Sequence, residues 1–178
     1  MSRTVVKGCM SVVLGVLLSG CGLTQTVSQG TTSTAKALFH PPLTTLQLDL
    51  GGPMGVNTGG HDMSTLAVPT LVRVYQLRGD SAVETAGYDK FVAPDNRVLG
   101  ADLLAEHVVL VKPGLGAQLN VPLVAGTQFV VLVALFRQPD TRLNTWRLTL
   151  RRDQLARDHA RVIELSGNAL VLRPRAKE

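Results

Sequence analysis

The residue with the clearest chemical potential is Cys21, which follows Leu18, Ser19 and Gly20. Small residues before a cysteine fit the narrow cleft of a signal peptidase, and the thiol supplies the nucleophile for diacylglycerol transfer. Each buried methylene of such a lipid contributes about 0.8 kcal/mol, so two or three acyl chains make an effectively permanent anchor. The pattern therefore predicts signal-peptidase recognition at Leu18, Ser19 and Gly20 and covalent lipid on Cys21.

The residues before this site favour the same interpretation. Met1–Lys7 carries two positive charges, and Gly8–Leu18 is an apolar run too short to span a bilayer permanently. The whole pattern resembles the bacterial lipobox, which implies diacylglycerol and an N-acyl chain on Cys21. In lipoproteins of two-membrane bacteria, an aspartate directly after the lipidated cysteine retains the protein in the inner membrane, but here the residue is Gly22. The resemblance therefore implies a location in the outer membrane, with the chain facing the periplasm.

Other reactive residue types are scattered along the chain. Each histidine is isolated, without a second ligand at metal spacing, and neither a Gly-x-Ser-x-Gly elbow nor a phosphate-cradling loop occurs. Asp49 with Asp62, or Asp80 with Glu84, could pair as carboxylates, but solvated surface charges explain them better. We therefore predict no enzyme, no metal and no cofactor beyond the lipid. The four histidines are His40, His61, His107 and His159.

Size and composition allow one ordinary domain with its own core. The 178 residues are 45% hydrophobic and 17% charged, and the net charge is +5. Removing Arg3 and Lys7 with the export segment leaves about +3, and the remaining cations are scattered, which argues against nucleic acid. Cys9 leaves with the same segment, so Cys21 has no disulfide partner.

The chain divides into three parts by composition. Residues 1–20 are predicted to be a lipoprotein signal peptide. Residues 21–40, rich in Thr, Ser, Gln and Gly, are predicted to be the lipidated N-terminus and a flexible tether. The remainder, residues 41–178, is predicted to fold as one β-sandwich domain.

Alternation of apolar and polar residues predicts a mainly β domain with seven or eight strands in two packed sheets. The almost wholly apolar segment Phe129–Phe136 should be a central strand, and Gly167-Asn168 should turn a hairpin. Ser81 and Glu84 have capping-box spacing, which predicts a helix over about Ala82–Lys90. The other predicted elements are strands near Leu46–Leu50, Thr70–Leu77, His107–Val111, Gln118–Val121, Trp146–Arg151, Arg161–Leu165 and Ala169–Leu172, and a short helix or turn over Leu99–Ala105.

Two further features concern the core and the loops. Trp146 is the only tryptophan, and we expect it to anchor the core between the sheets. The connection Gly51–Pro69 is long for a compact domain, and its glycine-rich segment could offer soft apolar contacts to a partner or could be an inconsequential loop. The candidate contact residues are Met54, Val56, Asn57, His61 and Met63.

An ordered set of segments resembles the type VI secretion outer-membrane lipoprotein family (TssJ type). After the lipobox come Pro69–Leu77, with the sequence PTLVRVYQL, and Tyr88–Phe91. These are followed by Leu99–Leu103, Val111–Gly114, Val133–Arg137 and Trp146-Arg147, and the set covers roughly residues 43–172. The resemblance implies a transthyretin-like two-sheet β-sandwich with a small helical addition.

The resemblance also implies a non-catalytic role. Lipoproteins of this family bind the periplasmic C-terminal region of a TssM-type inner-membrane protein, and a loop after the first strand contributes to the contact. That loop corresponds here to Gly51–Val68, although it differs from the Asn-Pro-rich form of many members. The alternative is a periplasm-facing lipoprotein that binds a small molecule between its sheets, which would require a lined pocket.

Overall fold

The computed structural model of the chain describes residues 43–57, 66–93 and 97–174. The predicted signal peptide, Cys21 with its lipid and the tether lie outside these residues. So do His40, His61 and Met63. Their predictions are therefore not tested by the structure.

The described residues form two four-stranded sheets with the orders β4-β1-β7-β8 and β3-β2-β5-β6. Neighbouring strands are antiparallel except β1 and β7, which run parallel. The strands are β1 (Thr45–Gly51), β2 (Thr70–Leu77), β3 (Leu103–Val111), β4 (Ala117–Pro122), β5 (Phe129–Ala134), β6 (Arg147–Arg151), β7 (Arg161–Ser166) and β8 (Ala169–Leu172).

The alternation that predicted the strands is visible in their burial. Leu46, Leu48 and Leu50 are buried on one face of β1, while the residues between them are half-exposed. β5 lies inside its sheet and is buried along almost its whole length, as predicted for a central strand. The Gly167-Asn168 hairpin between β7 and β8 is also confirmed.

The helical predictions are partly wrong. Two short helices, α1 (Ser81–Thr85) and α2 (Asp89–Val92), replace the single helix, because the chain is extended at Ala86 and Gly87 follows. Asp80, not Ser81, precedes α1, and no side chain caps it, so the capping box is absent.

The second helix prediction was also inaccurate at its C-terminal end. A 3₁₀ turn covers Arg97–Asp102, and β3 already begins at Leu103, four residues before the predicted start at His107. Every residue of Leu103–Glu106 is half-buried. The segment therefore shows no apolar–polar alternation that would have marked it as a strand.

The helical insertion forms a third layer on the outer face of the β3-β2-β5-β6 sheet. Phe91 of α2 packs on Tyr75 of β2, with 6.1 Å between ring centroids. Arg147 of β6 donates hydrogen bonds to the carbonyl oxygens of Val83 and Glu84, at the C-terminal end of α1, where carbonyls lack helical partners. Arg73 of β2 also donates a hydrogen bond of 2.9 Å to the carbonyl oxygen of Ala93, so the insertion is held to the sheet by rings and by guanidinium groups.

Trp146 belongs to this third layer. It is fully buried, as predicted, but its ring contacts Tyr88 at 5.2 Å and Phe91 at 5.6 Å, both from the insertion. The placement between the two sheets was therefore wrong. Burial raises the pKa of Tyr88, whose hydroxyl donates a hydrogen bond of 2.7 Å to the carbonyl oxygen of Phe136.

The strand order gives the sandwich two distinct ends. The start of β2 at Thr70 pairs with the end of β3 at Val111, and the end of β1 at Gly51 pairs with Glu164 near the end of β7. Four connections between strands therefore lie at the same end of the sandwich, which we call the loop end. The chain enters the domain at Leu43 at the other end, which we call the Leu43 end, where the helical insertion also departs. The loop-end connections are 52–69, 112–116, 135–146 and 167–168.

Candidate functional site

The start of the β1–β2 connection packs tightly against the β3–β4 turn. A Cβ atom on Gly52 would lie 2.6 Å from the carbonyl oxygen of Lys112, so only glycine allows this approach of the two backbones. The amide of Gly114 donates a hydrogen bond of 2.6 Å to the carbonyl oxygen of Gly52. The turn itself needs glycine at positions 114 and 116, where φ is +76° and +68°.

This packing presents two large apolar side chains to solvent side by side. The sulfur of Met54 lies over Gly114, and Leu115 follows Gly114 in the turn. Met54 is 76% exposed and Leu115 79% exposed. Thioether and leucine side chains held together at a loop tip form an adaptable apolar surface.

The other end of this segment is clamped to the body of the domain. The amide of Asn57 donates to the carbonyl oxygen of Gly167 at 3.0 Å, and its side-chain oxygen accepts a hydrogen bond of 2.8 Å from the amide of Arg137. Val56 is fully buried and Asn57 is 2% exposed. Both predicted contact residues therefore point inward and position the loop, which leaves Met54 as the exposed candidate among the described residues.

Exposed apolar side chains concentrate at the loop end. Among the described residues, the four most exposed large hydrophobic side chains all lie on loop-end connections. Sequence reasoning singled out only Met54. The signal it missed was a large apolar residue inside a turn, most clearly Leu115 between two glycines. The four are Leu115, Met54, Leu66 and Leu143.

An open cleft of about 330 Å³ runs beside this surface, on the outer face of the β4-β1-β7-β8 sheet. Its lining includes Pro53 and Leu115 from the loop end and Asp49 and Val162 from the strands. The cleft lies outside the sandwich. Between the sheets, buried leucines, valines and isoleucine fill the space in which the alternative hypothesis places a small molecule.

The remaining candidate residues do not assemble into a reactive centre in the part of the chain that the structure describes. His107 lies in the middle of β3, 3.4 Å from the side-chain nitrogen of buried Gln76, and His159 pairs with its neighbour Asp158 at the Leu43 end. No group of three His, Cys, Asp or Glu side chains is placed there to hold a metal. No described helix combines the length and apolar character needed to cross a bilayer.

The clamp at Asn57 is open to a stability test, because Asn57 has φ of +53°. Asn57→Gly keeps this conformation and loses the side-chain acceptor, which should cost about 1–3 kcal/mol. Asn57→Ala adds a left-handed penalty of about 1–2 kcal/mol, which exceeds the roughly 0.5–1 kcal/mol entropic advantage of alanine. We expect urea unfolding to place Asn57→Ala below Asn57→Gly and Asn57→Asp above both. Equal midpoints for the three variants would contradict the clamp.

Fold and site together define a small two-sheet β-sandwich whose most exposed large apolar side chains, among the described residues, lie on the loops at one end. The family described as "Type VI secretion lipoprotein, VasD, EvfM, TssJ" matches residues 44–168. The chain belongs to this family of type VI secretion lipoproteins. Among curated proteins, none matches the chain.

Solved structures agree with this assignment. A chain of a structure described as "Type VI membrane complex" is 34% identical, with a TM-score of 0.69, over 75% of this chain and 100% of that chain. A chain of the structure described as "T6SS protein TssM C-terminal domain (869-1107) from EAEC" is 32% identical, with a TM-score of 0.66, over 74% of this chain and 99% of that chain. The lipoprotein TssJ1 from Pseudomonas aeruginosa is 25% identical, with a TM-score of 0.60, over 76% and 100%. The sequence resemblance and the predicted sandwich fold are confirmed.

Proposed function

We propose that this chain is a lipid-anchored, non-catalytic envelope component that holds a TssM-type inner-membrane protein through its loop end. The observation that carries the proposal is the concentration of exposed apolar side chains on one set of loops, centred on Met54 and Leu115. Large apolar side chains that are exposed together on one set of loops are typical of a site for another macromolecule. Membership of the type VI secretion lipoprotein family indicates that this macromolecule is another component of the secretion system.

One of the similar structures supports the identity of the partner. In the structure described by the TssM C-terminal domain, the similarity covers 74% of the 178 residues of this chain and 99% of the other chain. That other chain is therefore the shorter of the two. The TssM stretch in that structure's description, 869–1107, is longer than this whole chain. We infer from these lengths that the similar chain accompanies the TssM domain in that structure. The periplasmic C-terminal region of a TssM-type protein is the partner that we assign to the loop end.

The placement of the two ends supports the tethering mechanism. The chain enters the domain at Leu43, and the exposed apolar loops lie at the opposite end of the strands. A lipid on Cys21 followed by a tether would therefore leave the loop end free to face away from its own bilayer. Confining the domain to one leaflet raises its effective concentration near a partner that crosses the periplasm, so a modest interface persists.

The binding step can be tested by co-purification. The lipidated chain and the tagged periplasmic region of the TssM-type protein are expressed together and solubilised in mild detergent. We expect them to elute as one complex in gel filtration. Separate elution at micromolar concentrations of both would reject this partner.

The anchoring step has its own test. Cys21→Ser removes the thiol that accepts the lipid, so we expect the variant to leave the outer-membrane fraction, with the folded domain and its partner affinity unchanged. Fractionation measures the location, mass spectrometry of the N-terminal peptide measures the lipid, and urea unfolding and co-purification with the partner measure fold and affinity. Cys9→Ser is the matched control, because that cysteine lies in the predicted signal peptide. Outer-membrane retention of Cys21→Ser would contradict lipid anchoring at this residue.

A further inference from the structure

The cleft beside the loop end has a floor without side chains. Gly51 is the last residue of β1 on the outer face, and a Cβ atom there would meet its nearest neighbours, in Ile163 and Glu164, at 3.8 Å, which is ordinary contact distance. Gly52 continues the floor toward the β3–β4 turn. The absence of side chains at these two positions creates an open depression beside the exposed Leu115.

The walls of the cleft combine apolar side chains with negative charge. Pro53 and Leu115 stand on one side, and Val162, 43% exposed, stands on the other. Glu164 is paired with Arg173, so its charge is largely neutralised. Asp49 lies next to Val162 in the strand register.

The side-chain carboxylate of Asp49 has no ion pair or hydrogen bond among the described residues, although Asp49 is only half-exposed. Its strand neighbours on the outer face are Gln118 and Val162, neither of which is charged. A carboxylate that is partly desolvated beside apolar surface gains most from a cation that arrives with an apolar stem. The negative charge and the apolar walls of the cleft therefore suit a side chain of a partner protein. The cleft is too open to enclose a small molecule.

We propose that this cleft binds a basic side chain of the partner protein, arginine or lysine, whose apolar stem packs on Val162 and Leu115 while its cation pairs with Asp49. The proposal rests on the proposed function, since the partner is the protein held at the loop end. It extends that contact from the tips of the loops to the outer face of β1 and β7. Lateral packing of this kind fixes the orientation of a partner that tip contacts alone would leave free to pivot.

Two variants test the cleft by independent means. Gly51→Leu fills the floor without a backbone penalty, because Gly51 lies in a strand with ordinary contact distances around it. Asp49→Asn removes the charge and keeps the shape. Asp158→Asn is the control, because it removes the same charge from an exposed site at the Leu43 end.

The measurement is the affinity of the purified lipidated chain for the tagged periplasmic region of the TssM-type protein, by biolayer interferometry at low and high NaCl. We expect Asp49→Asn to weaken binding about tenfold at low salt and less at high salt, and Gly51→Leu to weaken it at least about tenfold at both. Asp158→Asn should bind like the wild type. Urea unfolding verifies that each variant is folded.

The outcomes separate the two proposals. If the wild type binds and both cleft variants bind equally well, the cleft is not part of the interface, and the proposed function stands. If Gly51→Leu weakens binding but Asp49→Asn does not, the basic side chain is rejected. If the wild type itself does not bind, both the proposed function and the cleft assignment are overturned.

Discussion

Replacing Met54 and Leu115 together by aspartate is expected to weaken capture of the TssM-type partner at least about 100-fold. Hot-spot residues near the centre of an interface contribute about 2 kcal/mol or more each, and 1.4 kcal/mol corresponds to a factor of ten in affinity. The Met54 sulfur lies over Gly114, the neighbour of Leu115, and both side chains are among the most exposed apolar groups of the described domain. Placing carboxylates there would bury charge against the partner's apolar surface.

Stability should hardly change in this double variant, because both side chains are in solvent in the free protein and surface substitutions typically stay within about 0.5 kcal/mol. The matched control is Val92→Asp with Val108→Asp, which adds the same charge at exposed apolar positions that are not part of the loop-end connections. Titration of the partner region against each variant measures the affinity. Wild-type affinity in the Met54 and Leu115 variant would exclude the loop tips from the interface.

Replacing Trp146 by alanine is expected to lower the free energy of unfolding by about 3–5 kcal/mol. The indole is fully buried against Tyr88 and Phe91, and the guanidinium of Arg147 lies 5.3 Å from its centroid. Domains of this size are stable by only about 5–15 kcal/mol, so the loss would consume a large share of the total. The helical insertion should loosen first, because Trp146 makes two of its three ring contacts among the described residues.

Guanidinium chloride unfolding monitored by far-ultraviolet circular dichroism measures this change, since the variant lacks the only tryptophan. Leu143→Ala provides the control three residues upstream, where the side chain is 65% exposed and the expected cost is below about 0.5 kcal/mol. Trp146→Phe should recover part of the loss by keeping a ring in the cluster. Similar stability for Trp146→Ala and Leu143→Ala would show that the cluster contributes little.

Strands β1, β4 and β7 could be predicted because their burial follows the residue alternation. In β1 every second residue is a buried leucine, so period-two patterning alone identifies the strand and its inner face. The insertion was harder to predict, because its short helices depend on tertiary contacts. The carbonyls that end α1 are satisfied by Arg147, more than sixty residues further along the chain.

The candidate site was predictable only in part for the same reason. The length and composition of the β1–β2 connection identified a functional loop and Met54 within it. They could not reveal that Val56 folds inward, since this depends on the clamp from Asn57 to Gly167 and Arg137, which are remote in sequence. Leu115 becomes a candidate contact residue only because the fold brings the β3–β4 turn beside Met54.

The position of β1 between Leu43 and the Gly52–Asn57 segment has a mechanical consequence. In the proposed assembly, tension from the membrane would reach the domain at Leu43, and the part of it that leaves through Met54 would be carried by one strand, β1, from end to end. A strand already advances about 3.3 Å per residue, close to the fully stretched limit of about 3.3–3.6 Å. Pulling Leu43 and Gly51 apart therefore releases almost no contour length, so the sandwich can bear load without unfolding. Strands β4 and β7 pair with the loaded strand β1 on both sides.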